Sequence, residues 1–270
     1  MKNLMVSVVI PMYNREETIV GCLDSVCNQT FKNIEVIVVD DCSTDHSVRL
    51  VENYKDERVR LIKLDKKSGA QVARNKGISE SKADWIAFND SDDLWMVDKL
   101  AVQIAELSNA GFNKNTVVHS NCFCLDLLND NRTWEWKLPQ TLGMCYELLL
   151  KRPAPMFQAI LTSKDALLEI DMLDENVPSY QEWDTSIRLA KNCQFIHIEK
   201  PLFTYVFHKG ETISKDHKRD VEGYLYILNK FEDELKINNM YESHVRQLSK
   251  RAASFSLFCE ADEIISKLDD

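Results

Sequence analysis

The first hundred residues alternate two hydrophobic periods, and that alternation limits the fold more than any other feature of the chain. Met5 to Pro11, Ile34 to Val39, Val59 to Leu64 and Trp85 to Phe88 are short, mostly apolar runs, as strands buried on both faces require. Between the first two, Glu16 to Cys27 places Ile19, Cys22, Leu23 and Val26 at helical spacing. Ser47 to Tyr54 reads as a second helix, and Gly69 opens a third that runs to about Ser81. Strand and helix in this order predict a mostly parallel central sheet with helices on both faces, an α/β fold. Such sheets bind ligands beyond the carboxyl ends of their strands. Three polar clusters fall there: Tyr13-Asn14-Arg15, Asp40 to Asp45, and Asp90 to Asp93.

The second half is less regular. Val117 to Leu125 reads as a strand, with Trp134-Glu135-Trp136 as its hairpin partner. Leu142 to Leu150 reads as a helix stopped by Arg152-Pro153-Ala154-Pro155. Phe157 to Leu161 and Phe195 to His208 read as extended, flanking a helix from about Trp183 to Lys191. From Ser214 onward the pattern is helical; Tyr224, Leu225, Ile227, Leu228 and Phe231 form a face that packs against the rest. The partition that follows is one domain over residues 1–213, with halves 1–110 and 111–213, and a helical extension over 214–270.

Composition narrows the function. With 270 residues, 44% hydrophobic and 28% charged, the chain can bury a sizeable core without staples. A net charge of −10 argues against nucleic acid as a partner, because no basic stripe offsets it. A phosphorylated ligand then needs a metal or local cations. The eight cysteines lie in apolar segments, and Cys122-Phe123-Cys124 has strand spacing rather than metal-ligand spacing, so buried free thiols are expected. Leu4 to Met12 is too short for an export signal and no run is long enough to cross a bilayer. A cytoplasmic protein is expected, with room for peripheral contact at the inner face of a membrane.

Asp90-Ser91-Asp92-Asp93 crowds three carboxylates into four residues at the end of an apolar strand. Like charges that close repel and lose water, and a bound cation converts the repulsion into coordination. Carboxylate oxygens without adjacent Cys or His point to Mg or Mn. The competing reading is a helix cap, with Asp92 or Asp93 at the start of a helix near Leu94. On the run alone the two readings stand level; its strand-end place taken together with Asp41 and Glu182 favours the cation for Asp90 and Asp92 and leaves Asp93 as the cap. Asp40 and Asp41, at another strand end, are one acid more than a cap needs, and Asp45 suffices to cap the next helix. Arg74 is either a surface cation or a brace for the aspartates. Glu182 stands beside Trp183, an environment that raises a carboxyl pKa and suits a general base, with Asp184 as the fallback. His208 ends the last strand before Gly210.

Taken in order, Ser7-Val8-Val9-Ile10-Pro11-Met12-Tyr13-Asn14, Val38-Val39-Asp40-Asp41-Cys42-Ser43-Thr44-Asp45, Ala73-Arg74-Asn75-Lys76-Gly77 and Asn89-Asp90-Ser91-Asp92-Asp93 resemble the family 2 inverting glycosyltransferases of GT-A fold. The match is dense over roughly residues 4–100, with Gln181 to Asp184 and Tyr205 to Ser214 as looser anchors. The resemblance implies a nucleotide-diphosphate sugar donor, most often a UDP-sugar, with Mn or Mg. It implies that Pro11, Tyr13 and Arg15 line the nucleotide pocket, that Asp41 bonds the base with Asp40 beside it, and that Arg74 belongs to the donor site. Asp90 then lies near the ribose or a metal-bound water, and Asp92 on the metal that bridges the diphosphate. Glu182 takes the general-base position, and His208 the place of a histidine that completes the metal or diphosphate site. Two departures stand out: Gln181-Glu182 replaces a Glu-Asp pair, and Val206 stands where Arg is frequent.

The activity so implied is transfer of a sugar, with inversion, to a hydroxyl of a glycan or lipid-linked acceptor in cell-surface polysaccharide synthesis. A sugar nucleotidyltransferase is the enzymatic alternative, although Tyr13 to Val20 lacks its glycine-rich loop. A non-catalytic nucleotide-sugar binder is the other. The sequence leaves the sugar, linkage and oligomeric state open.

Overall fold

The computed structural model describes residues 4–153, 155–210 and 216–268. Strands β1 (Val6–Met12), β2 (Ile34–Asp40), β3 (Val59–Lys63) and β4 (Trp85–Phe88) pair in parallel in the order β3-β2-β1-β4. Helices α1 (Ile19–Cys27), α2 (Ser47–Glu52) and α3 (Ala70–Glu80) connect them. Every residue of β1 and β4 is buried, because alternate side chains enter cores on opposite faces. Val8 and Ile10 pack into one cluster and Val9 into the other. At Gly77 helix α3 approaches the sheet so closely that a Cβ would lie 2.4 Å from Val9 Cγ1.

Beyond β4 the sheet becomes mixed. After β5 (Leu94–Trp95) and α4 (Lys99–Asn109) come the long β6 (Thr116–Asp126) and β7 (Arg132–Trp136). Helix α5 (Tyr146–Lys151) and a 3₁₀ turn at Phe157–Ala159 lead to β8 (Leu161–Ser163), α6 (Lys164–Glu169), α7 (Gln181–Ala190) and β9 (Gln194–Phe207). β8 runs antiparallel between β4 and β6, β6 pairs β9 in parallel, and β5 and β7 add antiparallel edges. The parallel ladders carry most of the paired residues, and the β6–β7 hairpin forms as its sequence predicts.

Three local expectations change. No helix begins near Leu94: Leu94 and Trp95 pair with Thr204 and Phe203 of β9, and α4 starts only at Lys99. The expected helix over Leu142 to Leu150 shrinks to Tyr146–Lys151, and the expected strand from Phe157 becomes a turn before a shorter strand. For Leu94–Trp95, and for Gly143, which bridges to Phe195, pairing to β9 overrides the local pattern.

Helices α8 (His217–Lys230), α9 (Glu232–Ile237), α10 (Tyr241–Ser254) and α11 (Phe258–Ser266) complete the chain. Tyr224, Ile227, Leu228 and Phe231 share one cluster with Trp183 and Ile187 of α7 and with Phe88 of β4. The proposed boundary at 213–214 lies outside the described residues. Among the described residues no helix is long and apolar enough to cross a membrane.

Candidate active site

A cleft of about 920 Å³ opens beyond the carboxyl ends of β1 and β4, closed on its far side by the loop before α7 and the end of β9. The expected Pro11, Tyr13, Arg15, Asp41, Arg74, Asp90, Asp92 and Glu182 all line it. They come from segments as far apart as residues 11 and 182, which only the sheet's topology brings together.

The turn after β1 is held by the turn after β2. Asn14 takes a left-handed conformation (φ 50°), its N–H donates to Ser43 Oγ at 2.9 Å, and its Oδ1 accepts from Thr44 N at 2.8 Å. Asp45 accepts from Ser47 N at 2.9 Å in a turn just before α2, whose N-cap position is His46 and carries no side-chain cap bond, so Asp45 is not the expected cap. Asp40 is 3% exposed, accepts from Ser43 N and does not line the cleft, so the structure makes it a turn former. Asp41 does face the cleft. It accepts from Ser68 N at 2.6 Å and Gly69 N at 2.8 Å, fixing the loop that enters α3, where Gly69 has φ 97°. That loop carries Lys67, whose ammonium lies 3.7 Å from the Tyr13 ring centroid.

Arg74 is not a surface cation. It is 5% exposed, donates to Asp90 Oδ1 at 2.6 Å and to Gln71 and Gln181, and stacks 4.3 Å from the Phe157 centroid. The three aspartates therefore part company. Burial raises the Asp90 pKa, against which Arg74 pulls. For Asp92 burial also pushes upward, but the His208 hydrogen bond and the Arg15 charge outweigh it and the pKa falls. Asp92 Oδ2 lies 2.9 Å from His208 Nε2 and 3.2 Å from Arg15 Nε. Asp93, 1% exposed, has its pKa driven well up by burial and by Asp92 and Asp90. It is not a helix cap: it accepts from Val206 N at 2.8 Å and from Gln158 Nε2. The Gln158 amide also donates to Asp90.

Glu182 lies in the first turn of α7, half-buried at the cleft wall, with its pKa raised by burial. Trp183 does not supply that environment from the cleft side. It is 1% exposed, packed among Tyr180, Tyr224 and His244, and its indole N–H donates to Leu149 O. The fallback Asp184 is turned away altogether: fully buried, it pairs with Arg188 at 2.8 Å and Lys230 at 2.6 Å. Its charge holds α7 to α8 and cannot meet a ligand in the cleft.

Gln158, Lys67, Tyr180 and Arg219 were not marked by the sequence. Gln158 sits on a turn with no periodic signal. Tyr180 has φ 58° without being Gly, held by its hydroxyl donating to Asp220 Oδ2 at 3.1 Å. Arg219 Nε donates to Pro178 O at 2.7 Å, so α8 braces the loop that presents Glu182.

Among the described residues no three His, Cys, Asp or Glu side chains gather as a ready cation cage. Asp92 lines the cleft, however, and His208, which does not, reaches that carboxylate from behind, so a hard carboxylate and an imidazole meet at the cleft's edge. Mg and like cations use one or two protein carboxylates and complete their shell with phosphate oxygens and water. The donor set fits that mode.

The sheet's order brings Asp41, the aspartate run and a half-buried glutamate into one cleft. The family model for glycosyl transferase family 2 matches residues 7–164, and the chain belongs to that family. An uncharacterised glycosyltransferase of Haemophilus influenzae is 29% identical over 266 residues, covering 93% of this chain and 88% of the relative. WfgD of Escherichia coli, a UDP-Glc:alpha-D-GlcNAc-diphosphoundecaprenol beta-1,3-glucosyltransferase, is 30% identical over 203 residues, covering 73% of this chain and 76% of the relative. In fold, the chain resembles S. aureus TarS 1–349, whose crystal structure is in complex with UDP-GlcNAc. The TM-score is 0.66 at 16% identity, with 98% of this chain and 91% of that one covered.

Proposed function

We propose that this glycosyltransferase moves a sugar from a nucleotide-diphosphate sugar, with UDP the favoured nucleotide, to a hydroxyl of a glycan or lipid-linked acceptor, inverting the anomeric centre. The observation that carries the reading is one cleft lined both by Asp41, Arg15, Asp90 and Asp92 and by Glu182. The named activity of the E. coli relative supports a cell-surface polysaccharide intermediate as acceptor. A lipid-linked acceptor would bring the protein to the inner face of a membrane without a spanning helix.

Tyr13 offers a ring for the base and Asp41 a carboxylate for a base N–H, while Arg15 faces the diphosphate. Asp92, with Asp90 and His208, would hold Mn or Mg, which when bound stabilises the negative charge that gathers on the leaving diphosphate. Glu182 accepts the proton of the acceptor hydroxyl as its oxygen attacks the anomeric carbon opposite the diphosphate. The carbon–oxygen bond to the diphosphate breaks and its electron pair leaves with the nucleotide. A carboxylate with a raised pKa is the stronger base for that step.

Calorimetric titration of UDP-, GDP- and dTDP-sugars with and without Mn identifies the donor; release of the nucleoside diphosphate then measures turnover. Asp92→Ala should abolish metal-dependent turnover. Turnover and metal dependence both intact in Asp92→Ala would refute the site, and pyrophosphate as product would replace transfer by nucleotidyl transfer.

A further inference from the structure

The walls of the cleft differ in chemistry. The first half of the chain contributes Tyr13, Arg15, Asp41, Lys67, Arg74, Asp90 and Asp92, a charged wall suited to an anionic donor. The second half lines it with Trp136, Met156, Phe157, Tyr205, Val206 and Phe207, beside a polar set made of Gln158, the Glu182 segment, Lys209, Asp216, Arg219 and Asp220. That apolar wall is not closed off. Register pairs Trp136 with Cys122 and Phe203, and Trp134 with Cys124 and Tyr205, so both tryptophans stand on the face of Tyr205 and Phe207. Trp136 meets Tyr205 edge-on at 6.5 Å, Tyr205 meets Phe207 edge-on at 4.9 Å, and Trp134 stacks on Phe207 at 5.7 Å. The stripe thus runs out of the cleft along β7, and its tryptophans remain 40% and 41% exposed.

We infer that Tyr205, Trp136, Phe207 and Trp134 form a track for the sugar rings of the acceptor, which presents at least two rings to it. The inference rests on the proposed transfer reaction, because continuity with the cleft is what leads an acceptor hydroxyl from this track toward Glu182. Two facts favour a saccharide over a hydrocarbon chain. A pyranose has a flat C–H face for the indoles and hydroxyls at its rim, and exposed Arg132, two residues before Trp134, puts a charge on the same face of β7 as the tryptophans. Hydrocarbon laid along that face would strip Arg132 of water at a cost. Trp134 and Trp136, two residues apart on one strand, are also separated by about 6.8 Å of rise, the scale of one sugar unit.

The test uses the full chain, the donor found by titration, and a panel of free mono-, di- and trisaccharides with their octyl glycosides. Saccharide binding is read separately by tryptophan fluorescence. In the wild type, KM should fall from one ring to two. Trp134→Ala should erase that gain, Trp136→Ala should raise the disaccharide KM by about tenfold or more, and Trp→Phe at either position should restore most of it. A Trp134→Ala enzyme with wild-type KM for every saccharide overturns the track. So does a KM gain that follows the octyl chain instead of ring number, which makes the occupant a lipid. If no donor turns over, yet disaccharides shift the fluorescence of the wild type and not of Trp134→Ala/Trp136→Ala, the transfer reading falls and the track stands.

Discussion

Substituting Gly223 tests whether the C-terminal helices belong to the catalytic machinery. A Cβ on Gly223 of α8 would lie 2.1 Å from Ser179 Oγ, 2.7 Å from Ser179 N and 2.8 Å from Ser179 O. Two of those atoms are backbone, so rotating the serine cannot relieve Gly223→Ala; helix or loop must move. Overpacking of that kind costs about 1–3 kcal/mol, and for a chain of this size each kcal/mol lowers Tm by about 2–4 °C. The loop that moves runs through left-handed Tyr180 into Glu182. A displacement near 1 Å at a reacting group costs about 10²-fold in rate, so kcat should fall beyond what the unfolded fraction explains. Circular dichroism gives Tm, and kcat is measured well below it, where the variant is fully folded. Ser179→Ala/Gly223→Ala should remain defective, because the two backbone contacts persist. A Gly223→Ala protein with wild-type Tm and kcat would show that α8 does not clamp this loop.

Glu182→Gln should lower kcat by about 10²–10⁴-fold and remove the acid limb of the pH–rate profile. That limb lies above the ordinary carboxylate range because burial raises the pKa. The same shift acts on stability. The folded state holds its proton to higher pH than the unfolded chain, so wild-type stability falls as pH rises through the window between the two pKa values. Glu182→Gln should therefore match the wild-type Tm near pH 4 and exceed it at pH 8; a lower Tm at pH 8 contradicts this. Lys99, fully buried with only Gln103 and the Trp95 ring against its ammonium, has its pKa pushed well down by burial. Here the unfolded chain binds the proton that the folded state lacks, so stability should rise with pH toward the ordinary lysine range. Lys99→Met should raise Tm at pH 7 by about 2–6 °C, with the gap narrowing toward pH 10.

The parallel half of the fold was legible because its strands are buried on both faces and its helices on one, so each carries its period in plain view. The acidic run, Asp41 and Glu182 were legible because charge at the end of an apolar strand or beside a buried helix is costly enough to need a reason. What stayed hidden depends on partners far along the chain. Nothing local distinguishes Arg74 from a surface arginine; its burial follows from Asp90 and Gln181 arriving together. Asp184 sits two residues from Glu182 with the same chemistry, and only the helical rotation of about 200° between them turns it toward Lys230. Leu94 and Trp95 carry too little pattern to announce β5, which exists because β9 offers a free edge.

The acidic run joins the halves of the molecule. Asp90 reaches through Arg74 to Gln181, at the head of the helix that bears Glu182. Asp92 lies between Arg15, on the turn after β1, and His208, just past β9. Asp93 takes the Val206 N–H of β9, and Gln158 bridges it to Asp90. Among the described residues Asp93 has no cation as a hydrogen-bond partner, only amide donors, and with its pKa driven well up it is the costly member of the set. That cost is understandable if its task is to register β9 against β4. The end of β9 carries Tyr205 and Phe207, with His208 next in the chain, so Asp93, which itself lines the cleft, also sets where those three are held. A cation drawn to Asp92 would compete with Arg15 and His208 for the same oxygen. Donor binding at the proposed site would thereby be coupled to the position of the aromatic wall on which the acceptor is proposed to lie.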